Sequence, residues 1–495
     1  MKKLLLALAI AAIAAGYYLY DKLTGYREVE FCIAVTNDIG RVPGLLPRAV
    51  TAIKEASRSC GGDIVIIDNG GLFAMTAADR IARREASLEL PEAHFLAAGG
   101  YRFINLSPDV FLLGPQTVRR FLRSSGAAVL TDNLHGIGGG KRLEQNGLSL
   151  ALYGLTAAPE APLMPPALFD GMTFDNPFAG GSRPHDGEPA DFSVLTLRAD
   201  LADLSTRFGV EPSDVLLSLH TRFPHLSLVV MNDRFPAALV PDTAGGTRFI
   251  ALDRKGAALS LTRVRMIKHD TGMRGVVVSL DTYPLALDKV APDAPTRDVA
   301  AAFDRALNRA KERVIGTPWF TLELAASRKG DTVAARFLHE TLLAAAAAAG
   351  KSAELSIALT PVSSYRHEPG TALTLGGIDA LVPVDRHPVL ATLSGSRLAD
   401  LLQGAWERYP DMAASLFPLY YTVQPDGVFR FADGRFDPDR DYTVVMDGRI
   451  ADLLAGGDEG GTLLRQVLPS TLGELFARGI PSKLSYQFSP LWKSE

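Results

Sequence analysis

Residues Phe31–Val42, FCIAVTNDIGRV, form an apolar run that stops at Thr36-Asn37-Asp38 and turns through Gly40. A buried parallel strand reads this way, with Val, Ile and Ala inside the sheet and polar side chains delivered at its carboxyl end, where α/β sheets bind ligands. Asp38 is thereby the first candidate site residue, against the plainer reading of Asn-Asp-Ile-Gly as a turn.

The same ending recurs along the chain. Leu45–Ser59 has helical apolar spacing and ends at Cys60-Gly61-Gly62, and Asp63–Asp68, DIVIID, is a second buried strand leaving through Asn69-Gly70-Gly71. A short strand precedes Ser107-Pro108-Asp109, and Ala128–Asn133, Leu148–Thr156, Phe192–Leu197 and Asp214–His220 read as further strands. His225–Arg234 is another, delivering Asn232 and Asp233. Asp38, Asp68, Asp109, Asn133, His220 and Asn232 at successive strand ends imply a shared rim. Arg248–Asp253, Ala258–Met266 and Gly275–Tyr283 alternate, as a second, partly antiparallel layer does.

A polar connector, Ala291–Arg297, leads into a helix over Val299–Ile315, and a second long helix spans Asp331–Ala349. Short strands follow at Leu355–Leu359, Ala380–Val382 and Val389–Thr392, then a helix over Ser396–Arg408. The division this suggests is an N-terminal segment over 1–26, a first domain over 27–288, a linker helix within 289–322 and a second domain over 323–495.

Composition narrows the function classes. With 495 residues and a formal net charge of -4, the chain has no basic footprint for nucleic acid. Lys2 and Lys3 precede LLLALAIAAIAA and then Gly16-Tyr17-Tyr18-Leu19-Tyr20, a pattern that places the following chain outside the cytoplasm. We read a single-pass membrane anchor, with Tyr17, Tyr18 and Tyr20 as an interfacial belt and the bulk of the chain periplasmic; cleavage near Ala12-Ile13-Ala14, giving a secreted protein, is the alternative. Cys32 and Cys60 fall at the amino edge of the sheet, where they either pair or stay buried thiols.

Taken together, these motifs resemble the 5'-nucleotidase family, whose members join a calcineurin-like metallophosphoesterase domain to a C-terminal nucleotide-binding domain. VTNDIGRV is similar to the family's His-Thr-Asn-Asp-x-His-Gly, VIIDNGGLF to its Asp-Ala-Gly-Asp, LTDNLHG to its Ser-Ala-Asn segment, LYGLT to its Gly-Leu-Thr strand end and SDVLLSLHTRFPH to its strand ending in Thr-His. In the second half, the stretch from PVSSYRHEPG to LSGSRLADLL resembles the run from Gly-Gly-Ile-Arg to Leu-Thr-Gly, and LAGGDEGG the tail ending Gly-Gly-Asp-Gly. The resemblance implies a four-layer αββα sandwich (α/β) followed by an α+β 5'-nucleotidase C-terminal-like domain.

It also implies a dinuclear metal centre, in which two divalent ions activate water and hold the phosphate. Carried over by position, Asp38 matches the first Asp ligand and His220 a histidine ligand. Elsewhere the ligands are missing: the histidine after Asp38 is deleted, the bridging Asp falls on Gly71, Asn-His-Glu on Pro108-Asp109-Val110, and Gly-His-Ser-His on Met231-Asn232-Asp233-Arg234. The reading is therefore no cofactor, with the alternative of one or two divalent ions (Mn, Zn or Mg) on Asp38 and His220, joined by Asp68, Asp109 and Asn232. In the second domain Arg366, Arg386 and Asp458 align with substrate-contacting positions, so a nucleotide or other anionic small molecule is the implied ligand, while Asp452 replaces a stacking aromatic. His367 and His387 flank this pocket, either to bind anions or act as acids or, by the plainer reading, as solvated loop residues. The expected function is a catalytically weak or inactive nucleotide-binding or structural module; the alternative is a working nucleotide phosphohydrolase with a rearranged metal site.

Overall fold

The computed structural model describes residues 12–16, 18, 25–41, 44–73, 81, 90–156, 171–174, 190–198, 219, 223, 225–231, 243–244, 247–252, 258–269, 275–318, 321–323, 333–361, 366–381, 387–408, 412–417, 421–423, 429–431, 436–455 and 466–468. The expected strand opens the architecture as β1, Tyr26–Thr36, and its alternation decides the layers. Phe31, Ile33 and Val35 point to a core shared with a second sheet. Cys32 and Ala34 point to a core beneath helices. Every second side chain of a strand faces the same way, so one strand supplies both cores.

Around β1 lie α1 (Leu45–Ser59), β2 (Ile64–Asp68), α2 (Pro91–Gly99), β3 (Phe103–Ile104), α3 (Pro115–Ser125) and β4 (Ala128–Val129). β1 to β4 pair in parallel in chain order, with Thr36 opposite Asp68 and Asp68 opposite Ile104. The second sheet is built on β5 (Lys141–Gln145), β6 (Leu148–Thr156), β7 (Phe192–Arg198), β8 (Leu228–Met231), β9 (Thr243–Ala244) and β10 (Thr247–Ala251), in the order β9-β10-β8-β7-β6-β5. The long strands β11 (Ala258–His269) and β12 (Val276–Ala286) do not join that layer, as their alternation suggested; β11 pairs antiparallel with β1 and β12 with β11, completing the first sheet. Cys32 and Cys60 form a disulfide tying β1 to the end of α1.

The helix α4, Ala294–Lys311, begins inside the stretch read as a connector. Asp293 caps it by accepting from the Thr296 backbone N–H at 3.2 Å, and Pro in the first turn costs no hydrogen bond. Leu307 packs into the helix-side core of the first sheet, in a cluster that also takes in Leu375. In the second domain α5 (Val333–Ala348) lies on one face of a mixed sheet and α6 (Gly395–Arg408) on the other. The sheet runs Met412–Phe417, Leu355–Pro361, Asp441–Met446, Val389–Ser394, Gln466–Val467. Residues Leu375–Leu381 form a short helix, where the sequence reading placed a strand at Ala380–Val382.

Candidate functional site

The carboxyl ends of the parallel strands of both sheets meet in a closed polar cluster. Register explains its composition. Thr36 pairs with Asp68 and Asp68 with Ile104, so the next residues on β1, β2 and β3 are Asn37, Asn69 and Asn105, all buried. The Asn105 amide nitrogen is shared among Asn69 Oδ1 (3.0 Å), the Leu155 carbonyl (2.9 Å) and the Thr196 carbonyl (3.1 Å). Asn69 donates to the Leu197 carbonyl at 3.3 Å, and Thr131 Oγ1 donates to Asn105 Oδ1 at 3.0 Å. Side-chain amides therefore join one sheet to the other, satisfying backbone groups that water cannot reach.

Asp38 follows in the left-handed region (φ 54°), a conformation that Asn and Asp tolerate better than other residues, and its N–H donates to Gly70 O at 2.9 Å. Its carboxylate is buried. Oδ1 accepts from Arg198 Nη2 at 2.8 Å and Oδ2 from Asn37 Nδ2 at 2.9 Å. The second terminal nitrogen of Arg198, Nη1, donates at 3.3 Å to Asn37 Oδ1 and to the Asn69 carbonyl. Gly71 completes the packing: a Cβ built on it would collide with Asp38 Oδ1 and stand 2.8 Å from Arg198 Nη2. Only glycine leaves room for the guanidinium.

Asp68 takes the other side of the sheet. Its Oδ2 accepts from Thr36 Oγ1 at 2.7 Å and Oδ1 from the Gly70 N–H at 2.8 Å, with Tyr101 donating to Thr36 Oγ1 at 2.9 Å. Burial pushes its pKa up to about 7, against the lowering effect of these hydrogen bonds and of Arg198. The Tyr101 phenol is raised as well, first by burial and then by Asp68.

Of the residues predicted from sequence, the structure brings together Asp38 and Asp68. Asn133 is buried at the rim, exchanging hydrogen bonds with the backbone of Thr156 at 2.8 and 3.0 Å. Asp109 lies in a short 3-10 helix, Pro108–Leu113, while Asn105 is the amide that reaches the cluster from its strand. His220, Asn232, Asp233, Arg234, Arg386 and Asp458 lie outside the described residues, while Asp452 lies in the helix Gly448–Ala455. Leu219 beside His220 is helical, its carbonyl accepting from Phe223 N at 2.8 Å, where the sequence reading has a strand. The strand between Leu148–Thr156 and Leu228–Met231 is β7, and its last residue is Arg198. The place assigned to a Thr-His strand end is thus filled by Leu197-Arg198. Arg366 is exposed and pairs with Glu368 at 2.7 Å, whereas His367 and His387 are buried rather than solvated, held by Thr371 and by the Leu468 carbonyl.

Sequence reasoning missed Arg198, Asn37, Asn69, Asn105 and Tyr101. One signal for Arg198 was available: FSVLTLR is an apolar strand whose only charge is its final residue.

The described residues do not fit a pair of cations. Both Asp38 oxygens are engaged, one of them by a fixed positive charge, and Asp68 accepts two hydrogen bonds in a setting that favours its neutral form. Among the described residues no group of three His, Cys, Asp or Glu side chains converges.

No family model and no curated protein sequence matches the chain. Among solved structures it is similar to a candidate 5'-nucleotidase from Staphylococcus aureus in complex with alpha-ketoglutarate, with TM-score 0.60 and 15% identity over 93% of this chain and 98% of that one. It is also similar to the NAD nucleotidase of Haemophilus influenzae, with TM-score 0.51 and 11% identity over 92% and 97%. The chain has the 5'-nucleotidase fold, a four-layer αββα metallophosphoesterase-like sandwich followed by the C-terminal domain of those proteins.

Proposed function

We propose that this is a membrane-tethered, extracytoplasmic protein of 5'-nucleotidase fold in which an arginine has taken the place of the metal centre, and that it binds a nucleotide-like or other anionic small molecule without hydrolysing it. The buried Arg198–Asp38 pair carries this reading. Asp38 is the carboxylate that matches a metal ligand, and its partner is a guanidinium that cannot be deprotonated. A divalent ion about 4 Å from that charge would be opposed by roughly 8 kcal/mol at an effective dielectric of about 20. Retention of two cations against their hydration is incompatible with such a neighbour.

Ligand binding then falls to the second domain. Arg366 is exposed, and its present partner Glu368 is a carboxylate that an incoming anion can replace through the same planar fork of donors. The alpha-ketoglutarate held by the Staphylococcus aureus neighbour and the NAD nucleotidase activity named for the Haemophilus influenzae neighbour are consistent with an anionic small molecule. The basic, apolar N-terminus supports a tether, and the Cys32–Cys60 disulfide supports an oxidising compartment.

Titration of the full chain with AMP by calorimetry, in excess chelator, tests the binding reading. Saturable binding that is indifferent to chelator and weakened at least tenfold in Arg366→Ala is the expected result. Metal-dependent release of phosphate, abolished in Asp38→Ala, would overturn it.

A further inference from the structure

Exposed apolar side chains gather at the amino-terminal end of the first sheet. On the helix-side face, Tyr26 stands beside His269, Glu28 beside Ile267 and Glu30 beside Arg265, and β12 adds Val276 next to Ile267. The helix α1 stops at the level of Cys32, where Cys60 is bonded to it and Arg263 Nη2 donates to the Ser59 carbonyl at 3.5 Å. Among the described residues no helix continues over the strands beyond that point. Val276 is 66% exposed, Val278 47%, Tyr26 46% and Ile267 38%. Apolar side chains grouped at one end of a sheet mark an interaction surface.

We propose that this end rests against the lipid surface into which the N-terminal segment inserts; the inference builds on the tether proposed above. The occupant follows from where the chain goes. Asp21–Gly25 separates Tyr26 from the apolar run that ends at Tyr20, and five residues span at most about 18 Å when fully extended. A tether that short holds Tyr26 at the membrane interface, where tyrosines are favoured. Exposed Arg58, Arg263 and Arg265 border the patch and suit anionic headgroups, although Arg265 is shared with Glu28 at 3.4 Å. A second copy of the chain fits less well: the edge strand β12 carries Asp281 and Pro284, and an edge strand with a charge and a proline resists strand-to-strand pairing. The consequence is an orientation. β1 runs about 33 Å from Tyr26 to Thr36 at its usual rise per residue, so the Arg198–Asp38 rim points away from the lipid.

The test uses the full chain reconstituted in vesicles of phosphatidylglycerol and phosphatidylethanolamine, with an environment-sensitive fluorophore on Val276→Cys, on Ile267→Cys or, at the opposite end, on Ile137→Cys. Quenching by nitroxide-headgroup lipid at positions 276 and 267 and its absence at 137 is the expected result. If the protein stays with the vesicles but no site is quenched, the tether stands and this orientation is overturned. If it washes off the vesicles, tether and orientation fall together. Self-quenching between copies at position 276, without quenching by lipid, would assign the patch to a homodimer instead.

Discussion

At its carboxyl end β1 delivers Thr36, Asn37 and Asp38 into a cluster closed to solvent, whereas at its amino end Tyr26, paired with His269, is exposed, as are Ile267 and Val276 on the neighbouring strands. Between these ends burial is ordinary, with Arg27, Glu28 and Glu30 exposed and Val29 and Phe31–Val35 buried, so the exceptions are the polar groups closed in at one end and Tyr26 open at the other. The two ends differ in where their partners come from. The inner polar groups are satisfied within the chain by Arg198, Asn37, Asn69, Asn105 and Tyr101. For the outer apolar groups the proposed partner is the lipid surface. Substitutions at the first end should therefore register in folding stability, and substitutions at the second only in the presence of lipid.

The largest effect is expected from Asp38→Ala, which leaves the Arg198 charge buried without its carboxylate. A loss of about 3–5 kcal/mol is expected in urea unfolding. The double variant Asp38→Asn with Arg198→Met removes both charges together, keeps a residue suited to the left-handed backbone, and should recover most of that loss. If it recovers none, the pair matters through its hydrogen-bond geometry rather than through charge compensation.

Next comes pH. The Asp68 pKa is raised in the folded state to about 7, from 3.8. Between these values the folded protein binds the proton that the unfolded chain releases, so this group's contribution to stability falls as pH rises from about 4 to about 7 and is flat outside that window. Asp68→Asn removes the slope. Its stability relative to the parent should rise across the window by at most about 4 kcal/mol, read from denaturant midpoints at each pH. A parallel pair of curves would show that Asp68 titrates normally.

A smaller loss, about 1–3 kcal/mol, is expected for Asn105→Ala, which strands the Leu155 and Thr196 carbonyls between the sheets. The smallest belongs to the other end. Val276→Ser should stay within about 0.5 kcal/mol of the parent in detergent-free solution, because that side chain is already 66% exposed.

How much of this was legible follows from the same residues. Phe31–Asp38 and Leu45–Ser59 announce themselves through local pattern, a buried run with a polar exit and an apolar stripe at helical spacing, and both hold in the structure. Asp214–His220 is an apolar run too short for periodicity to separate strand from helix, and helical Leu219 shows the ambiguity resolved the other way. The three-asparagine row was not legible, because it depends on register between strands about thirty residues apart rather than on any local spacing. Arg198 was hidden for a related reason. A single arginine after an apolar strand becomes a site residue only once strand order puts β7 opposite Asp38, and the resemblance had assigned that place to His220.

The central claim is that Arg198 stands where a metal would. The most direct measurement is metal content of the full chain after dialysis against manganese and zinc, with nucleotide hydrolysis assayed on the same sample. The prediction is substoichiometric metal and no phosphate release above background. Two tightly bound ions per chain, with turnover that chelator abolishes, would contradict it.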